Sequence, residues 1–180
     1  MLGSLLVVGG ILLWLAPFIT AKRGRGSLVA VDRRSRWGLL LEGIALSIML
    51  QSHFWTVTQL SWRVVASAIF FLLAALLSWT ATRSLGSQLR FDAAIGEKHE
   101  LIRSGPYRLM RHPIYGSMLC LLLGIGFLAA PVWMFALAIV LFLVGTEIRV
   151  HIEDRLLREQ FGETFERYRD ATCAYLPPIR

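Results

Sequence analysis

Residues 99–116 read HELIRSGPYRLMRHPIYG, a polar and basic stretch between two long apolar segments. Arg103, Arg108, Arg111 and His112 are offset by Glu100 alone, and Pro113 leads straight into apolar sequence. Proline suits the first turn of a helix, where its missing N–H has no intrahelical bond to lose. Arg111 and His112 are thereby placed at the mouth of an apolar helix, at its positive dipole end, where an anionic ligand group is stabilised.

Composition bounds what surrounds this stretch. The 180 residues are 56% apolar with a net charge of +7, and their mean hydropathy is +0.58. That is too apolar for a soluble domain of this size and points to an integral membrane protein. Basic charge in such a chain records membrane orientation and contact with anionic lipids. There is no nucleic-acid motif or soluble basic domain, so nucleic acid is not an expected partner. Cys120 and Cys173 lie far apart and form no metal-ligand cluster, so neither a disulfide framework nor a metal site is expected.

The apolar blocks give five spans. The first runs from Leu2 to about Thr20, long enough at about 1.5 Å per residue to cross a hydrocarbon core of about 30 Å. A cleaved signal peptide is disfavoured there, since no basic residue precedes the run and no A-x-A site follows it. The second spans Trp37 to about Val57 and the third Trp62 to about Thr80, joined by QLSW as an antiparallel hairpin. Pro113 to Ala130 and Val132 to about Ile148 form another hairpin, turning at Pro131. With five spans, eighteen of the nineteen basic residues face one compartment. The positive-inside rule makes this the cytoplasm and puts the N-terminus outside. The expected fold is therefore an all-α integral membrane helical bundle of five transmembrane helices with a cytoplasmic C-terminus. Residues 1–84 carry helices 1–3, residues 85–180 the functional half, and the two form one structural domain.

After Ile148 the character changes. Ile152, Leu156, Leu157 and Phe161 keep a three-to-four spacing, so the last helix is expected to continue into the cytoplasm as an amphipathic extension. Gly162 ends or bends it, Phe165 and Tyr168 offer a further apolar face, and Pro177-Pro178 excludes helix. Arg149 and Glu153 share one face of the extension, with Asp154 adjacent. Hairpin topology brings this face to Arg111 and His112, giving a cytosol-facing pocket with both signs of charge. Glu42, about one turn past Trp37, is expected to snorkel toward or pair with the basic loop. His53 is read as solvated or hydrogen-bonded near the outer interface.

Singly these features are ordinary: a basic loop orients a membrane protein, Arg-x-x-x-Glu is a common surface pair, and Gly124-x-Gly126 permits helix packing. Together and in this order, GPYRLMRHPIYG, EDRLLREQFG, Tyr168 and the terminal Leu-Pro resemble the isoprenylcysteine carboxyl methyltransferase and phospholipid methyltransferase superfamily. These are integral membrane enzymes that use S-adenosylmethionine and release S-adenosylhomocysteine. The resemblance covers roughly Leu85 to Pro177. It implies that His99, Glu100, Leu101 and Ile102 lie along the cofactor and that Tyr107 closes over it. It further implies that His112, Pro113, Ile114 and Tyr115 contact the cofactor's amino-acid end. Gly124 and Gly126 would let the cofactor approach a helix backbone, Glu153 would hold its ammonium or ribose, and Arg149 would orient an acceptor carboxylate. Asp154 replaces the usual second glutamate, Phe165 stands where tyrosine is frequent, and either Gln88 or Asp92 supplies an upstream polar contact.

The activity so implied is methyl transfer to a lipophilic acceptor from the bilayer, foremost an isoprenylcysteine-type carboxylate. Such an acceptor is ionised near neutral pH and needs alignment and desolvation but no base. A phospholipid amine would need one, from Glu153, Asp154 or His112. A small thiol is a further candidate acceptor, and a non-catalytic lipid-binding or subunit protein is the alternative class. The expected location is the inner membrane of a bacterium with the site facing the cytoplasm.

Overall fold

The computed structural model describes residues 2–21, 28–51, 62–89, 94–96, 100–129 and 131–176. Its elements in chain order are α1 (Leu2–Thr20), β1 (Leu28–Val31), α2 (Ser35–Met49), α3 (Trp62–Leu85), β2 (Ala94–Gly96), α4 (Pro113–Ala129), α5 (Val132–Phe161) and α6 (Glu163–Ala171). Single 3₁₀ turns follow α3 at Gly86–Gln88 and precede α4 at Gly105–Arg108. Among the described residues three helices are long and apolar enough to cross a membrane: Gly3–Thr20, Trp62–Gln88 and Val132–Phe161. The apolar helix α4 is shorter, and α2 ends at Met49, well before the boundary expected for the second span. His53 and the QLSW connection lie outside the described residues, apart from Trp62.

The fold is helical but not purely so. β1 pairs antiparallel with β2, setting Leu28 opposite Gly96 and Val31 opposite Ala94. This small sheet ties the loop after α1 to the loop after α3, and Asp32 binds Arg155 on the extension of α5. Three segments expected to share one side of the membrane are thus joined at one end of the bundle.

Helix pairing departs from the hairpin expectation. The most extensive packing is α3 on α4 and α2 on α5, while the sequence neighbours α4 and α5 touch only sparingly. Side-chain size accounts for this. The buried stripe of α3 includes Ser67, Ala74, Ser78 and Ala81, and that of α2 includes Ser35, Gly38 and Ala45. Small residues let helix axes approach, which is what drives association where no hydrophobic effect separates protein from lipid. At the α2–α5 crossing a Cβ on Gly145 would lie 2.6 Å from the Gly38 carbonyl oxygen. A hydrogen bond locks the other pair, the Ser67 hydroxyl of α3 donating to the Gly124 carbonyl of α4 at 2.6 Å, and α1 is tied to α4 by Trp14 Nε1 donating to Ser117 Oγ at 3.0 Å. The core joins Val7, Ala45, Phe71, Leu122, Ile125 and Phe142 across these helices. Large apolar side chains such as Leu12, Leu72, Leu76 and Val140 point outward instead, as they should on a lipid-facing surface.

Gly162 ends α5 with φ +53°, a conformation that favours glycine, and the chain turns back as α6. Phe165 and Tyr168 are the buried face of α6.

Candidate functional site

The site forms where the N-terminal mouth of α4 meets the last turns of α5. Pro113 starts α4, leaving Arg111 and His112 at its mouth. Their backbone is fixed by the C-terminal segment: Arg111 N donates to Cys173 O at 2.9 Å and His112 N to Ala174 O at 2.8 Å. Leu109 O accepts from Cys173 N at 3.2 Å, completing a short strap between residues 109–112 and 173–174. The Arg111 guanidinium reinforces it by donating to Arg169 O and Thr172 O. Sequence reasoning missed the strap, because Thr-Cys-Ala-Tyr has no periodicity that names a partner.

The imidazole of His112 bridges two carboxylates. Nε2 lies 2.8 Å from Asp154 Oδ1, and Nδ1 lies 3.3 Å from Glu153 Oε2. Burial by itself would lower the imidazole's pKa, but the hydrogen bonds and charges of Asp154 and Glu153 outweigh it and raise the pKa to about 9. His112 is thus a cation near neutral pH with both nitrogens donating. It cannot also accept a proton there, which removes it from the candidate bases. Arg111 adds a second cation, its Nη2 3.3 Å from Asp154 Oδ2.

Around Glu153 the contacts come from α4 and from the preceding turn of α5, and α2 joins through Arg149. The Tyr115 hydroxyl donates to Glu153, its ring stacks on His112 with centroids 5.5 Å apart, and Arg149 lies 4.9 Å over that ring. Arg149 also stands 3.9 Å from Glu153 and 3.1 Å from Glu42 of α2, whose other oxygen accepts from Thr146 Oγ1 at 3.0 Å. Glu42 therefore turns into the bundle toward α5 and not toward the basic loop, and it is 0% exposed. Three cations and three carboxylates balance in this cluster, and Glu153, with 24% of its side chain exposed, is the acid most open to a solute.

The other expected residues are placed as follows. His99 and Asp92 lie outside the described residues. Glu100 is exposed and donates its backbone N–H to Gln88 Oε1 at 2.9 Å, so Gln88 shapes the backbone of that strip. Leu101 and Ile102 are half-buried. Tyr107 is buried, its carbonyl accepting from the Tyr168 hydroxyl at 2.6 Å, and burial pushes its phenol well above the ordinary range. Pro113 is buried and Ile114 half-buried at the start of α4. Gly124 and Gly126 are not with this group. They lie about 18 Å and more along α4 from His112, and a Cβ on Gly124 would come 2.8 Å from the Phe71 ring, one on Gly126 against Phe135. Aromatic rings occupy the space beside both glycines, so they serve helix packing where cofactor approach was expected.

The residues suit S-adenosylmethionine in kind. Glu153 offers a partly exposed anion for an ammonium or hydroxyls, and Arg111 Nε is a buried donor with no hydrogen-bond partner among the described residues, a match for a carboxylate. Among those residues no His, Cys, Asp or Glu group has the arrangement of a metal site.

The chain spans about half the length of the curated relatives from Oryza sativa that it matches, the probable protein-S-isoprenylcysteine O-methyltransferases of subspecies indica and japonica. Each is 35% identical over 101 residues, which is 56% of this chain and 51% of the relative. Over 167 residues it is 23% identical to the nickel-cobalt-cadmium resistance protein NccN of Alcaligenes xylosoxydans xylosoxydans, covering 92% of this chain and 74% of that protein. The model of the phospholipid methyltransferase family matches residues 62–164, a region that holds His112, Tyr115, Arg149, Glu153 and Asp154 but not Glu42. That match takes in more than half of the chain, and with it the charged junction of α4 and α5: this chain belongs to the phospholipid methyltransferase family, within the superfamily that includes the isoprenylcysteine methyltransferases.

Proposed function

We propose that the chain is an integral membrane enzyme that moves a methyl group from S-adenosylmethionine to a lipophilic acceptor, foremost an isoprenylcysteine-type carboxylate. The observation that carries this reading is the His112 bridge between Glu153 and Asp154, which gathers the site from the middle and the C-terminal part of the family-matched region. Glu153 would hold the cofactor's ammonium or ribose, and Arg111 and the mouth of α4 its carboxylate. Residues 100–102 and Tyr107 would wall it, with His99 continuing the strip. When bound, the cofactor supplies an electrophilic methyl on a sulfonium. The chain supplies alignment and exclusion of water, the two needs of an anionic acceptor. Arg149 would orient that acceptor from the guanidinium face over Tyr115.

Five spans with the N-terminus outside would set this site at the cytoplasmic face of an inner membrane. The shared location of the first loop, third loop and tail, joined through β1–β2 and Asp32–Arg155, supports that topology. An amine acceptor is the second reading, favoured by the engagement of Arg149 with Glu42, which commits part of its charge inside the bundle. Glu153 or Asp154 would then be the base.

Two measurements test the proposal. S-adenosylhomocysteine should raise the melting temperature of the purified protein, and His112→Ala or Glu153→Ala should abolish that rise while membrane insertion persists. A variant retaining wild-type stabilisation would lose its assigned role. Membranes incubated with methyl-labelled cofactor should then yield a base-labile methyl ester. Base-stable label in the phospholipid fraction would replace the carboxylate by an amine.

A further inference from the structure

We infer that Glu42, on α2 and outside the family-matched region, is a positioning residue for the site: it holds the Arg149 guanidinium off Glu153 and so keeps that carboxylate available to a cationic ligand group. The cofactor part of this inference rests on the methyltransferase reading; the placement of Arg149 does not.

A carboxylate buried in an apolar helix is costly and persists where its charge is used. Glu42 is 0% exposed, and both its oxygens are engaged, by Thr146 at 3.0 Å and by Arg149 at 3.1 Å. The crossing of α2 and α5 makes these contacts. Gly38 and Gly145 face each other there, a Cβ on either overlapping the other's carbonyl oxygen, and each glycine lies one turn before its charged residue. Close backbones therefore lay Glu42 across Arg149.

Arg149 stands between two carboxylates on different helices, 3.1 Å from Glu42 and 3.9 Å from Glu153. Without the charge of Glu42, Glu153 is the nearest acid in the described cluster, one turn further along the same helix. The guanidinium would close on it and neutralise the anion that the site presents. Simple helix adhesion does not explain the pair as well, because an apolar pair of similar volume binds two helices as firmly without the desolvation cost. Arg149 also overlies Tyr115, whose hydroxyl bonds Glu153, so its position is felt at that carboxylate by two routes.

The test uses the full-length protein in detergent and two readouts. The first, free of any cofactor, is the pKa of His112 followed by NMR; its ring faces Glu153 and Asp154 on α5, Tyr115 on α4 and the adjacent Arg111. In Glu42→Gln, Arg149 competes with His112 for Glu153, and the His112 pKa should fall below its value of about 9. The second readout is S-adenosylhomocysteine affinity, which should weaken by about tenfold, the scale of one charge-assisted contact. Both should return toward wild type in Glu42→Gln/Arg149→Gln, which removes the competing cation; a merely structural Glu42 predicts no such recovery. Should Glu42→Gln not insert, Glu42→Asp draws the carboxylate back by a methylene and should move both readouts the same way to a smaller extent. Unchanged readouts in the variants that fold, or a double variant no nearer wild type than Glu42→Gln, would overturn the inference. A His112 shift that recovers in the double variant, in a protein that never binds S-adenosylhomocysteine, would uphold the positioning of Arg149 and overturn the methyltransferase reading.

Discussion

At the scale of single residues, His112 has the largest consequence. Its folded pKa of about 9 lies above the ordinary 6.5, so the folded state binds its proton more tightly than the unfolded chain does. The stability this provides is fully present below about pH 6.5 and is lost as pH rises through about 9. The melting-temperature gap between wild type and His112→Gln should therefore be widest near pH 6 and shrink toward about pH 10, with the gap set by linkage. A gap that stays constant across that range would mean the imidazole is not the charged partner of Glu153 and Asp154. Arg149 behaves differently, because its removal strands Glu42 in an apolar interior. Arg149→Ala should destabilise the fold by about 3–5 kcal/mol, measurable by thermal unfolding before any activity is assayed.

At the scale of elements, two glycines on α2 separate packing from propensity. A Cβ at Gly38 would meet the Gly145 carbonyl and the Arg149 side chain, whereas one at Gly43 would meet nothing within 4 Å. Gly38→Ala should cost about 1–3 kcal/mol through overpacking, and should pull Glu42 and Arg149 out of register. Gly43→Ala should stay within about 1 kcal/mol of wild type, since helix propensity alone is altered. Equal losses at both positions would remove the close α2–α5 crossing from the account. Whereas α2 ends at Met49, short of the span expected to about Val57, the sequence located α1, α3, α4 and α5 well, because apolar length is a local property. It misassigned their partners for a physical reason: adjacency along the chain constrains where a helix lies, while small side chains on each buried stripe select which neighbour it can approach.

At the scale of the whole molecule, the C-terminal strap and the β1–β2 pair close one end of the bundle. Ending the chain after Ala171 removes the backbone bonds to Leu109, Arg111 and His112 and the Thr172 acceptor of Arg111. Such a chain should still insert, yet lose stabilisation by S-adenosylhomocysteine. Undiminished stabilisation would show that the mouth of α4 holds its geometry unaided. What the sequence by itself determined was the membrane class, the positions of α1, α3, α4 and α5, the bend at Gly162 and the convergence of Arg111 and His112 on the acids at 153 and 154. Each follows from hydropathy, helical period, glycine's backbone freedom or motif spacing, all of which are written along the chain. Only the tertiary structure decided that Glu42 reaches Arg149, that residues 173–174 brace His112, and that Gly124 and Gly126 face the rings of Phe71 and Phe135. The first two of those contacts join residues more than 100 and about 60 positions apart, and packing geometry, which no local pattern encodes, selects all of them.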